Sequence, residues 1–492
     1  MASPVGSLGA TTLTNNNGSS NNTNNSSFSL NMLKEGDGTP VEFTTAHQEV
    51  GKISTRWTYT FLNGITYYDW LPLAPATTIA PGVGYISKGT GNAGLTQEYL
   101  FEGKPNNGTV LIAADDVDGD SGNESQPDVT QTTTLIGNPY ASAIDAHQFI
   151  NDNAGVIDGT IYLWQQWAGD NHILEEYQGG YAVINLMSKI RAYQFVGYSG
   201  ADNGSQDGTK TPTQFIGVGQ SFMTEVVGDG NIEFNNGQRA YKRESNGEVE
   251  FFRTTETTQE KQLEDPMQIL TLEFKTSSNL SREIAVGFSG FTSKGFDYGY
   301  DGKMFDAKTE DMYTMWNDQK MITQAYPAIN SKTVVPLEFN ITGELSYAIS
   351  IKDMENFQKG QKVYLRDNTT GMYFDLTEDR YKFNADPQTI DGRFDIVFEK
   401  EDTKPTKGQT IEEDVVIYYN SQQDLLYVKG LLGSAKDVIL YNTAGQKTQS
   451  YGELSEQTLE QGIRINNISS GIYMVSLQTQ TNQTINKKII VD

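Results

Sequence analysis

The clearest alternation of apolar and polar positions lies at the end of the chain. Over residues 414–492, seven short β-rich runs follow one another, at 415–418, 425–429, 438–442, 446–451, 462–465, 471–477 and 485–491. Turn formers separate several of them, among them Thr443-Ala444-Gly445 and Ser469-Ser470-Gly471. That strand count within roughly eighty residues predicts a small Ig-like β-sandwich. In the run that opens at Gly471, Tyr473, Val475 and Leu477 fall on one face by the two-residue period of a strand.

The same grammar runs upstream. Trp57-Thr58-Tyr59-Thr60-Phe61 alternates aromatic with polar, as a half-buried strand does. Residues 135–149, LIGNPYASAIDAHQF, read as a strand, a turn, and a short helix capped by Ser142 and running to Ile150. Residues 159–164 and 215–222 read as strands, and so do 269–275, 283–288, 334–339, 345–351, 362–366 and 393–398. So many short runs predict an all-β chain of sandwich-like or jelly-roll-like modules in series, at 44–260, 261–402 and 414–492, with a linker at 403–413. The Asn/Ser/Thr tract at 11–29 makes residues 1–43 a flexible linker by composition, or the end of a larger polar repeat such as a β-solenoid.

Charge and composition narrow the function. A net charge of −26 argues against nucleic acid and against adsorption to anionic lipid. Cysteine is absent, which removes disulfides, thiolate nucleophiles and cysteine-based metal centres. No apolar run approaches the length of a transmembrane helix. The first thirty residues lack the basic and apolar regions of a signal peptide, so the chain reads as a mature form or the C-terminal piece of something longer.

The sharpest local chemistry is the run 115–124, DDVDGDSGNE. Asp116, Asp118 and Asp120 alternate on a glycine-bearing loop with Asn123 and Glu124 behind them, a set of hard oxygens suited to calcium. The spacing is not that of an EF-hand, since Ser121 and Pro127 occupy its sixth and twelfth positions, and a solvated acidic turn is the alternative. Asp297 and Asp301 read as Asx-type turn residues or as a second calcium pair. His47, His147 and His172 show no ligand spacing, and His147 falls in the predicted helix in a structural role. No nucleophile elbow or phosphate-binding loop occurs. Trp164, Trp167 and Tyr177 are candidates for stacking on sugar, with Trp164 expected in the core.

Three runs carry a family resemblance: 436–446, KDVILYNTAGQ; 463–477, IRINNISSGIYMVSL; and 487–491, KKIIV. Together they resemble the type A C-terminal sorting domain of the type IX secretion system of Bacteroidota. The resemblance implies an export signal read by the outer-membrane translocon and its shuttle, then usually removed by a sortase-like peptidase. It singles out Gly445, Gly471, Tyr473, Lys487 and Lys488 as signal residues. The runs PGVGYI, LIGNPYASAID and IGVGQSF over 50–255, with GFDYGYDGKM and DGRFDIVF further on, resemble modules of large flavobacterial cell-surface proteins. The expected function is a non-catalytic adhesin or structural surface component that meets surface polysaccharide or other surface proteins. A polysaccharide-active hydrolase or its carbohydrate-binding region is the alternative, and a retained part of the secretion or gliding apparatus a third.

Overall fold

The computed structural model describes residues 1–7, 26–90, 97–117, 131–168, 178–194, 211–243, 266–387, 390–400, 415–420, 423–431, 434–442, 446–465, 468–479 and 484–491. They form two compact units, Met1–Lys400 and Glu401–Asp492, and the architecture is all-β.

The first unit is layered around a five-stranded sheet whose order runs Thr132–Gly137, Ser221–Val226, Ile161–Ala168, Gln178–Ile184, Lys189–Ile190. Both faces of this sheet are apolar. Ile136, Ile161, Leu163, Ala182 and Phe222 pack on one side with the helix Ala146–Asp152 and the ribbon of Val110–Ala114 and Gly230–Phe234. Leu135, Tyr162, Val183 and Met223 point the other way and join Ile284, Val286 and Ile322. The two-residue period therefore assigns neighbouring residues of one strand to two different cores.

The second of those cores is built on an eleven-stranded sheet. Its order is Met372–Asp375, Tyr364–Asp367, Phe394–Val397, Val334–Asn340, Asp311–Trp316, Gln319–Pro327, Ser281–Ser289, Gln268–Thr276, Tyr347–Glu355, Tyr381–Phe383, with Gly302–Lys303 added on Gln319–Pro327. The sheet curls until its two terminal strands adjoin, the Phe374 and Tyr381 rings lying 5.2 Å apart. Its interior is aromatic, with Phe274, Phe339, Tyr347, Phe383 and Phe394 in mutual contact.

Three expectations change here. The boundary at 260/261 does not separate two cores, because a central sheet apolar on both faces requires cover on both, and residues 268–398 supply one of them. Residues 26–43 are not linker. Leu33–Glu35 pairs with Tyr99–Phe101, Glu42–Thr44 pairs with Lys52–Ser54, and Phe28, Leu30 and Leu33 bury with Ile79 and Tyr85. The Asn/Ser/Thr tract lies, up to residue 25, outside the described residues. The helix is capped by Asp145, which accepts the His147 and Gln148 amides, whereas Ser142 Oγ accepts from Arg239.

The second unit has the expected strands: β1 (Val416–Asn420), β2 (Leu425–Lys429), β3 (Ala435–Asn442), β4 (Lys447–Tyr451), β5 (Ile463–Arg464), β6 (Gly471–Thr479) and β7 (Thr484–Val491). They form a three-stranded sheet, β1-β2-β5, and a four-stranded sheet, β4-β3-β6-β7. A short helix, α1 (Glu456–Gln461), was not legible as such. Ser455 caps its start, accepting the Thr458 amide. Gly462 ends it at φ +95, where a Cβ would also meet the Tyr427 ring at 3.0 Å.

Candidate functional site

The interior of the second unit is a closed set of aliphatic residues. Leu426, Val428, Val438, Leu440, Leu459, Val475 and Leu477 are each buried completely. Tyr473 joins them, its ring buried and its hydroxyl donating to the Ser469 carbonyl at 2.9 Å. Gly471 opens β6 opposite Val491, with ordinary space around it. Gly445 lies outside the described residues.

The two signal lysines separate. Lys487 pairs with the fully buried Val475 and is half-buried, so its stem lies along the inner edge of the sandwich. Lys488 pairs with Met474 and is exposed on the outer face. One motif thus contributes one residue to folding and one to the surface.

Of the proposed calcium set, Asp118, Asp120, Asn123 and Glu124 lie outside the described residues. Asp116 is described, and its amide donates to Asp229 Oδ1 at 2.9 Å, which ties the start of the loop to a further carboxylate. Among the described residues no group of three or more His, Cys, Asp or Glu is placed to hold a metal. Asp297 and Asp301 act as turn residues. Asp297 accepts the Ser293 amide at 2.7 Å, and Asp301 accepts the amides of Asp297 and Ala325 at 2.8 and 2.5 Å. Burial pushes the Asp301 pKa up to about 7.

Several other buried charges of the first unit are engaged in ion pairs. Arg282, with no exposed surface, donates to Asp311 at 2.8 Å and Asp306 at 3.1 Å and lies over the Tyr193 ring. Arg191 reaches Glu283 at 2.6 Å and Glu273 at 3.2 Å, and Lys303 pairs with Glu225. Asp158, buried beside Glu225, has its pKa raised first by burial and then by that neighbour. An open depression of about 540 Å³ is lined by Lys308, Asn340, Thr342 and Phe339 among others. Burial lowers the pKa of Lys308. Sequence reasoning singled out none of these groups, since their partners lie tens of residues away.

Trp164 departs from its expected place in the core. It is 43% exposed, its indole lying against Gly179, where a Cβ would approach the ring to 2.5 Å, and edge-on to Tyr181 at 5.1 Å. Nothing is described for the side chain of Trp167 or for Tyr177 and His172. His147 sits half-buried on the helix, and His47 is exposed against Trp57.

Among known proteins, residues 416–492 match the secretion system C-terminal sorting domain, and residues 10–398 match a domain of unknown function (DUF8693). No curated protein matches. Of solved structures, the 47-kilodalton lipoprotein Tp47 of Treponema pallidum is similar at 9% identity over 74% of this chain and 92% of that chain, with a TM-score of 0.13. No helix among the described residues is long and apolar enough to cross a membrane. The sorting domain makes the protein cargo of the type IX secretion system, bound by that machinery and exported to the cell surface or beyond. Since the larger match spans most of its length, the chain belongs to the DUF8693 family, here ending in a type IX sorting domain.

Proposed function

We propose that the exported protein is a non-catalytic surface component, an adhesin or a structural element of the cell exterior. The observation that carries this reading is the use made of buried charge. Asp306, Asp311, Glu283 and Glu225 are each paired with a cation inside the fold, and the depression lined by Lys308, Asn340 and Thr342 presents a lysine rather than two facing carboxylates. Glycoside hydrolysis by two carboxylates requires them to flank an open substrate site. The test is turnover on a broad polysaccharide panel alongside an attachment assay with cells lacking the protein. The expected results are no reducing sugar released and weakened attachment. Turnover that disappears when one Asp or Glu is changed overturns the reading.

Carbohydrate contact without catalysis is a second reading, favoured by Trp164. An exposed indole seated against a glycine and braced edge-on by a tyrosine is suited to stacking on a sugar ring. Trp164→Ala should weaken retention of the full chain on a polysaccharide column, and unchanged retention removes the role.

A further inference from the structure

The register of the four-stranded sheet brings three separate sequence runs into a single row. Tyr441 of β3 pairs with Lys447 of β4 on one side and with Met474 of β6 on the other. Met474 in turn pairs with Lys488 of β7. Next to this row Ile472 pairs with Ile490. The neighbours of these residues along each strand, Leu440, Tyr473, Val475 and Ile489, are buried, so the row lies on the outer face. Ile472, Met474 and Ile490 are 42%, 43% and 62% exposed there. Three large apolar side chains grouped on the surface of so small a unit mark a contact site rather than scatter.

The charge on this face is also uncommitted. Lys447 and Lys488 make no ion pair or hydrogen bond among the described residues. The three-stranded sheet has an apolar outer face too, with Val416, Tyr418 and Tyr427, but its lysine is engaged. Lys429 donates to the Glu460 carbonyl at 2.7 Å and lies over the Tyr427 ring. Residues 401–492 hold eight Lys and Arg against eleven Asp and Glu, near balance in a chain of net charge −26. A sorting domain must be recognised by the export machinery, and its inner faces are consumed by folding.

We infer that the outer face of the four-stranded sheet, the row Lys447, Tyr441, Met474, Lys488 with the Ile472–Ile490 pair, is the surface by which the export machinery binds this protein. Its counterpart on the machinery is an apolar patch bordered by carboxylates, which the two lysines meet at either end of the row. The inference rests on export and is independent of what the first unit does.

The test uses the full chain expressed in a host with this secretion system, fractionated into periplasm, cell surface and medium. Ile472→Ser with Met474→Ser, and separately Lys488→Glu, should each reduce exported protein by roughly tenfold, the effect of losing contacts worth about 1.4 kcal/mol. Both should keep the melting temperature of the purified full chain. Val416→Ser with Tyr418→Ser, on the opposite face, should export as the unaltered chain does. Normal export of the two outer-face variants overturns the inference, and so does equal loss from the opposite-face control. Loss of oligomers in place of loss of export would assign the face to a second copy of this chain and equally overturn it. A lowered melting temperature in the double variant leaves Lys488→Glu, at an exposed position, to decide.

Discussion

Replacing Asp301 with Asn tests a proton linkage built into the first unit. The carboxyl is fully buried, accepts two backbone amides, and has its pKa pushed up to about 7 by burial, against an ordinary value of 3.8. The groups that face it are Asp297, whose charge raises it further, and Tyr326. A folded-state pKa above the unfolded one means that the folded chain holds the proton more tightly. The contribution of Asp301 is therefore fully present below about pH 4, falls as pH rises, and is lost once pH passes about 7. Three or so pKa units at 1.36 kcal/mol each set an upper bound of about 4 kcal/mol.

The two amides meet different oxygens of Asp301, so Asn keeps a carbonyl acceptor for one of them and turns its NH2 toward the other, a cost that does not vary with pH, and it cannot ionise. The stability of the Asn variant relative to the unaltered chain should thus rise with pH by up to about 4 kcal/mol between roughly pH 4 and pH 8. Urea titrations of both full chains across that range, followed by tryptophan fluorescence, measure the difference. Other carboxylates, Asp158 among them, titrate in both chains and cancel. A difference that stays flat with pH refutes the reasoning, because a group already ionised in the fold at neutral pH has no such linkage.

Arg282→Met should cost about 3–5 kcal/mol in the same titrations, since Asp311 and Asp306 are left buried without their cation, and Asp306→Asn with Asp311→Asn in that background should recover much of it. Tyr473→Phe should lower the stability of the second unit by about 1 kcal/mol through loss of the bond to Ser469, whereas Tyr473→Asp should abolish its calorimetric transition. Calcium bound at the loop of Asp116, Asp118, Asp120, Asn123 and Glu124 should raise the melting temperature by mass action, and Asp118→Ala with Asp120→Ala should remove the rise. Identical melts in calcium and in chelator dismiss that site.

Much of the second unit was legible because its strands are short, alternating and punctuated by turn residues. Each of the seven predicted runs overlaps an observed strand. The first unit was legible as all-β but not in its assembly. Periodicity identifies a strand with two apolar faces without saying which distant segment covers each, and here residues 268–398 cover one of them. The hairpin of Asp311–Trp316 and Gln319–Pro327 escaped notice, although its turn is a two-residue Asn317-Asp318 pair at positive φ, a known hairpin signal. The buried ion pairs had no signal at all, because Arg191 and Glu283 are 92 residues apart and meet only once the sheets stack. Trp164 was misplaced for a related reason. Tyr162 on the same face of its strand is fully buried and stacks on Phe305, so the pattern predicts burial for both, while the cover stops short of Trp164.

The motif residues of the sorting domain show why a sequence signal is not yet a recognition surface. Tyr473 and Met474 are adjacent in the chain, as are Lys487 and Lys488, yet the pleat sends the first of each pair inward and the second outward. A motif drawn as a continuous run therefore mixes residues required for folding with residues available to a partner, and loss of either gives the same failure to export. The two classes differ in what else they change. An inward substitution such as Tyr473→Asp must remove stability before it removes export, because it places a charge among Val475, Leu477 and Ile489. An outward one such as Lys488→Glu leaves that core untouched, so any loss of export it causes is a loss of recognition. The order of the two effects, read as melting temperature against exported fraction, assigns each motif residue to one class without further structural information.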